Sequence, residues 1–315
     1  MALSRINLDE ILNTGCKTKC NKQERTETTE NDLCKEVKSV VDNLPVRCVG
    51  KWAVQKIYLL NQYLGIFTNA MKNKWEINYI EICSGPGRCI SREMGEEFNG
   101  TALSIIKNPG FQNVHKALFF DFNPTIVGTL NKRIELLKIN KAKAIIGNYF
   151  NPEEICDNIK KEISPRSLNL VFIDPTDCSV PFNLIHYLKK AIPNIDFIIN
   201  IAIGTDYNRN IKELLLNKEK FKGLFTKYSQ FLDSKEFFSD ANNIKFAEQS
   251  DHLALRNAFR DAYLNSLKKI GYEHFRNKRI SNLYDILFAS ANQLGVEFWD
   301  KANKNDFNGQ GTLNF

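Results

Sequence analysis

Long apolar runs are missing from this sequence. The longest, Phe197 to Ile203, is interrupted by Asn200 and falls far short of the roughly 20 residues a membrane-crossing helix requires, which excludes a membrane span. The opening MALSRINLDEILN lacks the charged, then apolar, then small-residue order of a secretory leader. Histidine is scarce: His115, His186, His252 and His274 stand apart, with no H-x3-H pair and no carboxylate partner pattern, so each reads as structural rather than as a base. No C-x2-C pair occurs among the eight cysteines, and no histidine lies among the first four, Cys16, Cys20, Cys34 and Cys48. Their gaps are too wide for a zinc knuckle, and unpaired thiols in a loose segment are the plainer reading. The uneven cysteine spread, partly inside apolar segments, is that expected of a reduced, cytoplasmic chain. Internal repeats and low-complexity tracts are absent too.

What is present is an ordinary globular composition over 315 residues, enough for a substantial core. Lys and Arg number 43 against 36 Asp and Glu, a net charge of +7. That mild basic bias fits an anionic partner such as nucleic acid, although lysine and asparagine abundance equally reflects a genome's base composition. Residues 1–44 are polar and weakly periodic and read as a partly ordered N-terminal arm. Residues 45–315 read as one α/β domain with a helical insertion near 211–270.

Within that domain, apolar positions Ile57, Leu60, Leu64, Phe67 and Met71 recur at helical steps from Trp52 to about Lys72. Strands are expected at YIEI, KALFFDFNP, AKAIIG, LNLVFIDP and IDFIINIAI. The helices between them carry start signals such as Asn123-Pro124 and Asn151-Pro152-Glu153-Glu154. Residues 95–112 look like an irregular insertion. Late in the chain, GYEHFRNKRI and LYDILFAS form a hairpin. Strands alternating with helices call for a doubly wound, mostly parallel Rossmann-like sheet closed by an antiparallel hairpin.

The organising stretch is YIEICSGPGRCI, Tyr79 to Ile90. A strand enters a turn with Gly85, Pro86 and Gly87, and a helix is expected from about Arg88. Such turns let a ligand approach the backbone and meet unpaired N–H groups. A dinucleotide fingerprint would need glycine where Ile90 stands, and no Gly-Lys-Ser/Thr follows to make a P-loop. Glu81 precedes the glycines in the order E-x-x-x-G-x-G. That order resembles the first motif of class I S-adenosylmethionine (SAM)-dependent methyltransferases, which implies SAM as cofactor, held at Glu81, Gly85, Pro86 and Gly87.

Ligands of open parallel sheets sit beyond the carboxyl ends of the strands. Asp121 ends the second strand and suits ribose hydroxyls, or equally a turn before Asn123-Pro124. Asn148 ends the third and suits an adenine edge, or a turn after glycine. Asp174, at the end of a wholly apolar strand, is the candidate catalytic group, with Asp177 in the same loop. Amino-methylating enzymes of this fold carry Asp/Asn-Pro-Pro-aromatic here; this chain has Asp174-Pro175-Thr176-Asp177, without the second proline or the aromatic. Cys178 reads as an inert thiol.

The segments VGKWAVQKIYLLNQYLGIFTNAM, YIEICSGPGR, FNGTALS, LFFDFNP, LVFIDPTDCSVPF, IDFIINIAIGTDYNRN and LYDILFASANQLGVEFWDK together resemble the three-Cys-motif partner family. The resemblance spans about Val49 to the C-terminus. It implies a bacterial methyltransferase-like domain acting beside a radical-SAM-type protein with three cysteines, and it adds Trp52, Lys56, Arg88 and Arg209 as family-like positions. The family favours Asp-Leu-Phe-Ala-Gly-Pro-Gly in the first motif; here the acid is Glu81, and both glycines are kept.

Overall fold

A computed structural model describes residues 11–16 and 33–304. The chain divides into two compact units: Met1–Gly147 with Arg166–Leu168 and Glu297–Phe315, and Asn148–Pro165 with Asn169–Val296.

The first unit opens with strands β1 (Leu12–Asn13), β2 (Leu33–Lys38) and β3 (Pro45–Val49), then helix α1 (Ala53–Met71). Strand β4 (Ile77–Ile82) follows, then β5 (Arg88–Ser91), β6 (Glu96–Asn99), α2 (Thr101–Lys107), β7 (Val114–Asp121), α3 (Pro124–Leu136) and β8 (Ala142–Ile146). Every residue of β4 is buried, which explains its continuous apolar character. It pairs in parallel with β7, and β7 with β8. The expected cap is present on α3: Asn123 Oδ1 accepts from the Thr125 and Ile126 N–H groups, with Pro124 behind it.

A second, five-stranded sheet runs in the order β1-β6-β5-β3-β2, and it departs from the sequence reading twice. Arg88–Ser91 is strand, not the start of a helix, and it turns back antiparallel on β6. The stretch read as irregular thus holds β6, α2 and a 3-10 turn at Pro109–Asn113. The expected boundary at residue 44/45 also falls inside paired structure, since Leu33 of β2 faces Arg47 of β3. The physical reason is buried polarity. Arg88 forms an ion pair with Glu97, and Ser39 Oγ donates to the same carboxylate at 2.6 Å. Such side chains look like surface in a sequence but are satisfied here by partners far along the chain. On the apolar side, Ala53 and Ile57 of α1 pack with Cys89 and Phe98 of the hairpin.

The second unit takes helix α4 (Pro152–Lys160), most of β9 (Leu168–Ile173), α5 (Phe182–Ala191) and β10 (Ile195–Ile201). A π-helical turn, Ile203–Tyr207, leads to α6 (Asn208–Leu216), α7 (Lys222–Leu232), α8 (Ala241–Glu248) and α9 (His252–Lys269). Strands β11 (His274–Ile280) and β12 (Tyr284–Ser290) close it, and α10 (Gln293–Ala302) ends the described chain. Strand β10 lies parallel to β9 and antiparallel to β12, which pairs with β11 as the expected hairpin. The architecture is therefore α/β, with three parallel strands in the first unit and a mixed set in the second.

The helical insertion is an aromatic core. Phe259 stacks on Phe231 with ring centroids 5.6 Å apart and meets Tyr207 at 3.9 Å. Gly204 lets the π-helical turn touch the β11–β12 link: a Cβ there would lie 2.3 Å from the Asn282 carbonyl oxygen.

Among the described residues no helix is long and apolar enough to cross a membrane. Cys20 lies outside those residues. Within them no group of three His, Cys, Asp or Glu side chains is gathered to hold a metal.

Candidate functional site

The turn after β4 is built from backbone conformation. Cys83 (φ 66°), Gly85 (φ +67°) and Gly87 (φ +93°) all lie in the left-handed region, where a Cβ is penalised. A Cβ on Gly87 would also sit 2.9 Å from Leu130 Cδ1 of α3, so this glycine serves close packing. The carboxylate of Asp121 ties the turn down: Oδ2 accepts from the Gly85 N–H at 3.1 Å, and Oδ1 from the Asn123 N–H at 3.1 Å. Asp121 is buried. Its structural part is thus neither helix cap nor simple turn. It joins the end of the second parallel strand to the glycine turn, while Asn123 does the capping.

Pro86 is held by a buried arginine. Arg133 of α3 donates from Nη1 to the Pro86 carbonyl oxygen at 2.6 Å, and its Nε and Nη2 reach Asp42 Oδ2 and Oδ1 at 2.8 and 3.0 Å. Burial alone would push the Asp42 carboxyl up. The hydrogen bonds from Arg133 and the Leu44 N–H, with the Arg133 charge, outweigh it and hold the group below its ordinary value. Glu81 is fully buried. Its Oε2 accepts from Tyr79 Oη at 2.9 Å, and its Oε1 from Thr101 Oγ1 at the first residue of α2. Ser84 contributes the opposite: its Oγ is buried without a hydrogen-bond partner among the described residues, a state that costs free energy until something fills it.

In the second unit, Asp174 follows β9 and is largely buried. Asn200, inside β10, donates from Nδ2 to Asp174 Oδ1 at 2.8 Å and to the Pro175 carbonyl at 3.2 Å. Two acceptors on one amide nitrogen fix the amide's orientation, and Asn200 Oδ1 is buried without a partner among the described residues. Asp177 Oδ2 accepts from Lys227 Nζ at 2.8 Å, and Lys227 also reaches Asp206 Oδ2 at 2.8 Å. Asp206 accepts from the Cys178 N–H at 2.9 Å and from Tyr228 Oη at 3.0 Å. Burial lowers the Lys227 ammonium, but the hydrogen bonds and charges of Asp177 and Asp206 win and raise it. Burial, with the Asp206 charge, pushes the Cys178 thiol well up, so it remains a thiol and a poor nucleophile.

Glu81, Gly85, Pro86, Gly87 and Asp121 therefore belong to one bonded cluster in the first unit. Asn148, Asp174 and Asp177 lie in the second. Asn148 is exposed and folds its Oδ1 onto the Phe150 N–H at 2.9 Å, the turn role. Arg88 is committed to Glu97, Arg209 is exposed, and Lys56 is buried with its ammonium 5.5 Å from the Trp52 ring. Sequence reading missed Ser84, Thr101, Asn200, Asp206 and Lys227. Only Asn200 announced itself, as the polar break in an apolar strand.

No family model matches the chain, and no curated protein does. Comparison with solved structures finds methyltransferases. Human N-acetylserotonin methyltransferase in complex with SAM is 14% identical with a TM-score of 0.36, over 76% of this chain and 53% of that one, so the chain spans about half of that protein's length. Human methyltransferase-like protein 13 in complex with SAH is 10% identical with a TM-score of 0.41, over 83% and 95%. A protein from Legionella pneumophila str. Philadelphia 1 is 11% identical with a TM-score of 0.46, over 83% and 94%.

Proposed function

We propose that the chain is a SAM-dependent methyltransferase of the three-Cys-motif partner type, acting on nucleic acid beside a radical-SAM-type three-Cys protein. The observation that carries the reading is the left-handed Gly85–Gly87 turn at the end of β4, tethered by the Asp121 carboxylate. The residues present fit the cofactor. An open backbone turn, the unpartnered Ser84 hydroxyl and a carboxylate at the next strand end suit a nucleoside with an amino-acid tail. A carboxylate has about four acceptor sites, of which the Gly85 and Asn123 N–H groups use two. Exposed Phe122, directly after Asp121, offers an aromatic face for a base.

The cofactor supplies an electrophilic methyl on sulfur; the protein mainly aligns it with an acceptor. In this reading Gly85, Pro86 and Gly87 cradle the amino-acid part, Asp121 orients the ribose, and Asn148 meets the adenine edge. Glu81 acts indirectly, fixing the start of α2 through Thr101. Asp174 is assigned to the acceptor by its place at a strand end. Asn200 holds one of its carboxylate oxygens, leaving the other to accept a hydrogen bond from the group being methylated. Asp177 and Lys227 hold the loop. The basic net charge supports a nucleic-acid acceptor.

Titration calorimetry of the full chain with SAM and S-adenosylhomocysteine tests the cofactor: binding that Gly85→Val abolishes supports it, and no binding by the intact protein ends it. Transfer of labelled methyl to nucleic acid that disappears in Asp174→Ala tests the rest.

A second reading has its own support, the commitment of Asp174 to Asn200 and of Asp177 to Lys227. In it the fold is a non-catalytic nucleic-acid docking module. It requires salt-sensitive nucleic-acid binding that persists in Gly85→Val and Asp174→Ala.

A further inference from the structure

We propose that Arg47 recognises the amino-acid carboxylate of the methyl donor, and so distinguishes an intact donor from a nucleoside that lacks its amino-acid tail. The inference rests on the methyl-donor reading and deepens it. Arg47 comes from β3 of the five-stranded sheet, where it pairs in parallel register with Cys89 of β5. Because β5 leaves directly from the glycine turn, that register carries the arginine back over the turn. Arg47 Nη1 and Cδ lie 3.5 and 3.8 Å from where a Cβ on Gly85 would stand. A side chain at position 85 would therefore point at the guanidinium; glycine leaves that approach to a ligand.

The support beneath Arg47 is stiff. Arg88 is paired with Glu97, and Arg133 with Asp42, both arginines almost fully buried. These two ion pairs fasten the ends of the turn and the strands around it. Half-buried Arg47 stands above the part of the turn that would receive the amino-acid tail. A guanidinium presents a planar fork of donors that matches a carboxylate two bonds at a time. Partial exclusion from water strengthens the pairing. Lysine, a flexible point charge, would replace it only in part.

The test is calorimetry of the full chain with two ligands. S-adenosylhomocysteine carries the carboxylate; 5′-methylthioadenosine keeps the nucleoside and thioether without the amino acid. Arg47→Ala is expected to weaken S-adenosylhomocysteine by roughly 10- to 100-fold, the scale of one lost charge-assisted pair. It should leave 5′-methylthioadenosine within about a few-fold of wild type, and Arg47→Lys should fall between. Unchanged binding of S-adenosylhomocysteine in Arg47→Ala overturns the role of Arg47 while leaving the methyl-donor reading intact. Equal losses for both ligands in Arg47→Ala and Arg47→Lys also overturn it, since the arginine would then serve only the scaffold. Wild-type protein that binds neither SAM nor S-adenosylhomocysteine overturns the methyl-donor reading, and this inference with it.

Discussion

The Gly85–Gly87 turn and the Asp174–Cys178 loop follow strands of the same kind, yet they are shaped by different means. The turn owes its form to backbone conformation: three residues have positive φ, and Asp121 and Arg133 bond main-chain atoms rather than one another. The loop owes its form to side chains, with Asn200 on Asp174 and Lys227 between Asp177 and Asp206. The first kind of site leaves a mark in the sequence, because few residues tolerate such backbones. The second leaves almost none, because any acid or base of the right reach would serve.

Removing one support at a time sharpens this contrast. Asp42→Ala leaves the Arg133 guanidinium buried without its carboxylate and is expected to cost about 3–5 kcal/mol, read from urea unfolding. Asp196→Asn should act in the opposite direction. Burial pushes Asp196 up to about 6, against the Ser290 hydrogen bond and the Lys189 charge, so it binds a proton more readily folded than unfolded. Its charge therefore lowers stability progressively as pH rises from 3.8 through about 6. The variant should gain at most about 3 kcal/mol at neutral pH, with the gain vanishing toward pH 4; melts across that window check it.

Asp206→Ala is expected to cost about 1–3 kcal/mol, because the Cys178 N–H and Tyr228 hydroxyl lose their acceptor. If the loop is held as described, the Cys178 thiol should also react faster with a disulfide probe. Gly85→Ala should cost least, about 1–2 kcal/mol for a Cβ in the left-handed region, yet it should weaken SAM binding more than Asp206→Ala does. An Asp206→Ala variant that loses SAM while Gly85→Ala keeps it would reverse the contrast between the two sites.

Much of the α/β alternation was legible because strands such as β4 and β9 are continuous apolar runs and α3 announces its start with Asn123-Pro124. The hairpin β5–β6 was not. Its Arg88, Ser91 and Glu97 are polar yet buried, and their partners include Ser39, whose strand region looked like a loose arm. At the site, Asp121 was found as an acid at a strand end, but its bond to the Gly85 N–H, 36 positions back in sequence, has no local signature. Lys227 and Asp206 sat unremarked in a helical, lysine-rich stretch because only folding brings Asp177 to them.

The hairpin has one more implication, for how this chain could be rebuilt. Gly100 donates its N–H to the Gly87 carbonyl at 2.8 Å, so the polypeptide that departs at residue 88 returns to its starting point before α2 begins. Topologically the excursion is an appendix with touching ends. Residues 88–99 should therefore be exchangeable for a short linker without moving β4 or α2, provided the strands that lean on the hairpin are removed along with it. Circular dichroism of such a shortened chain would register either an intact α/β core or its collapse.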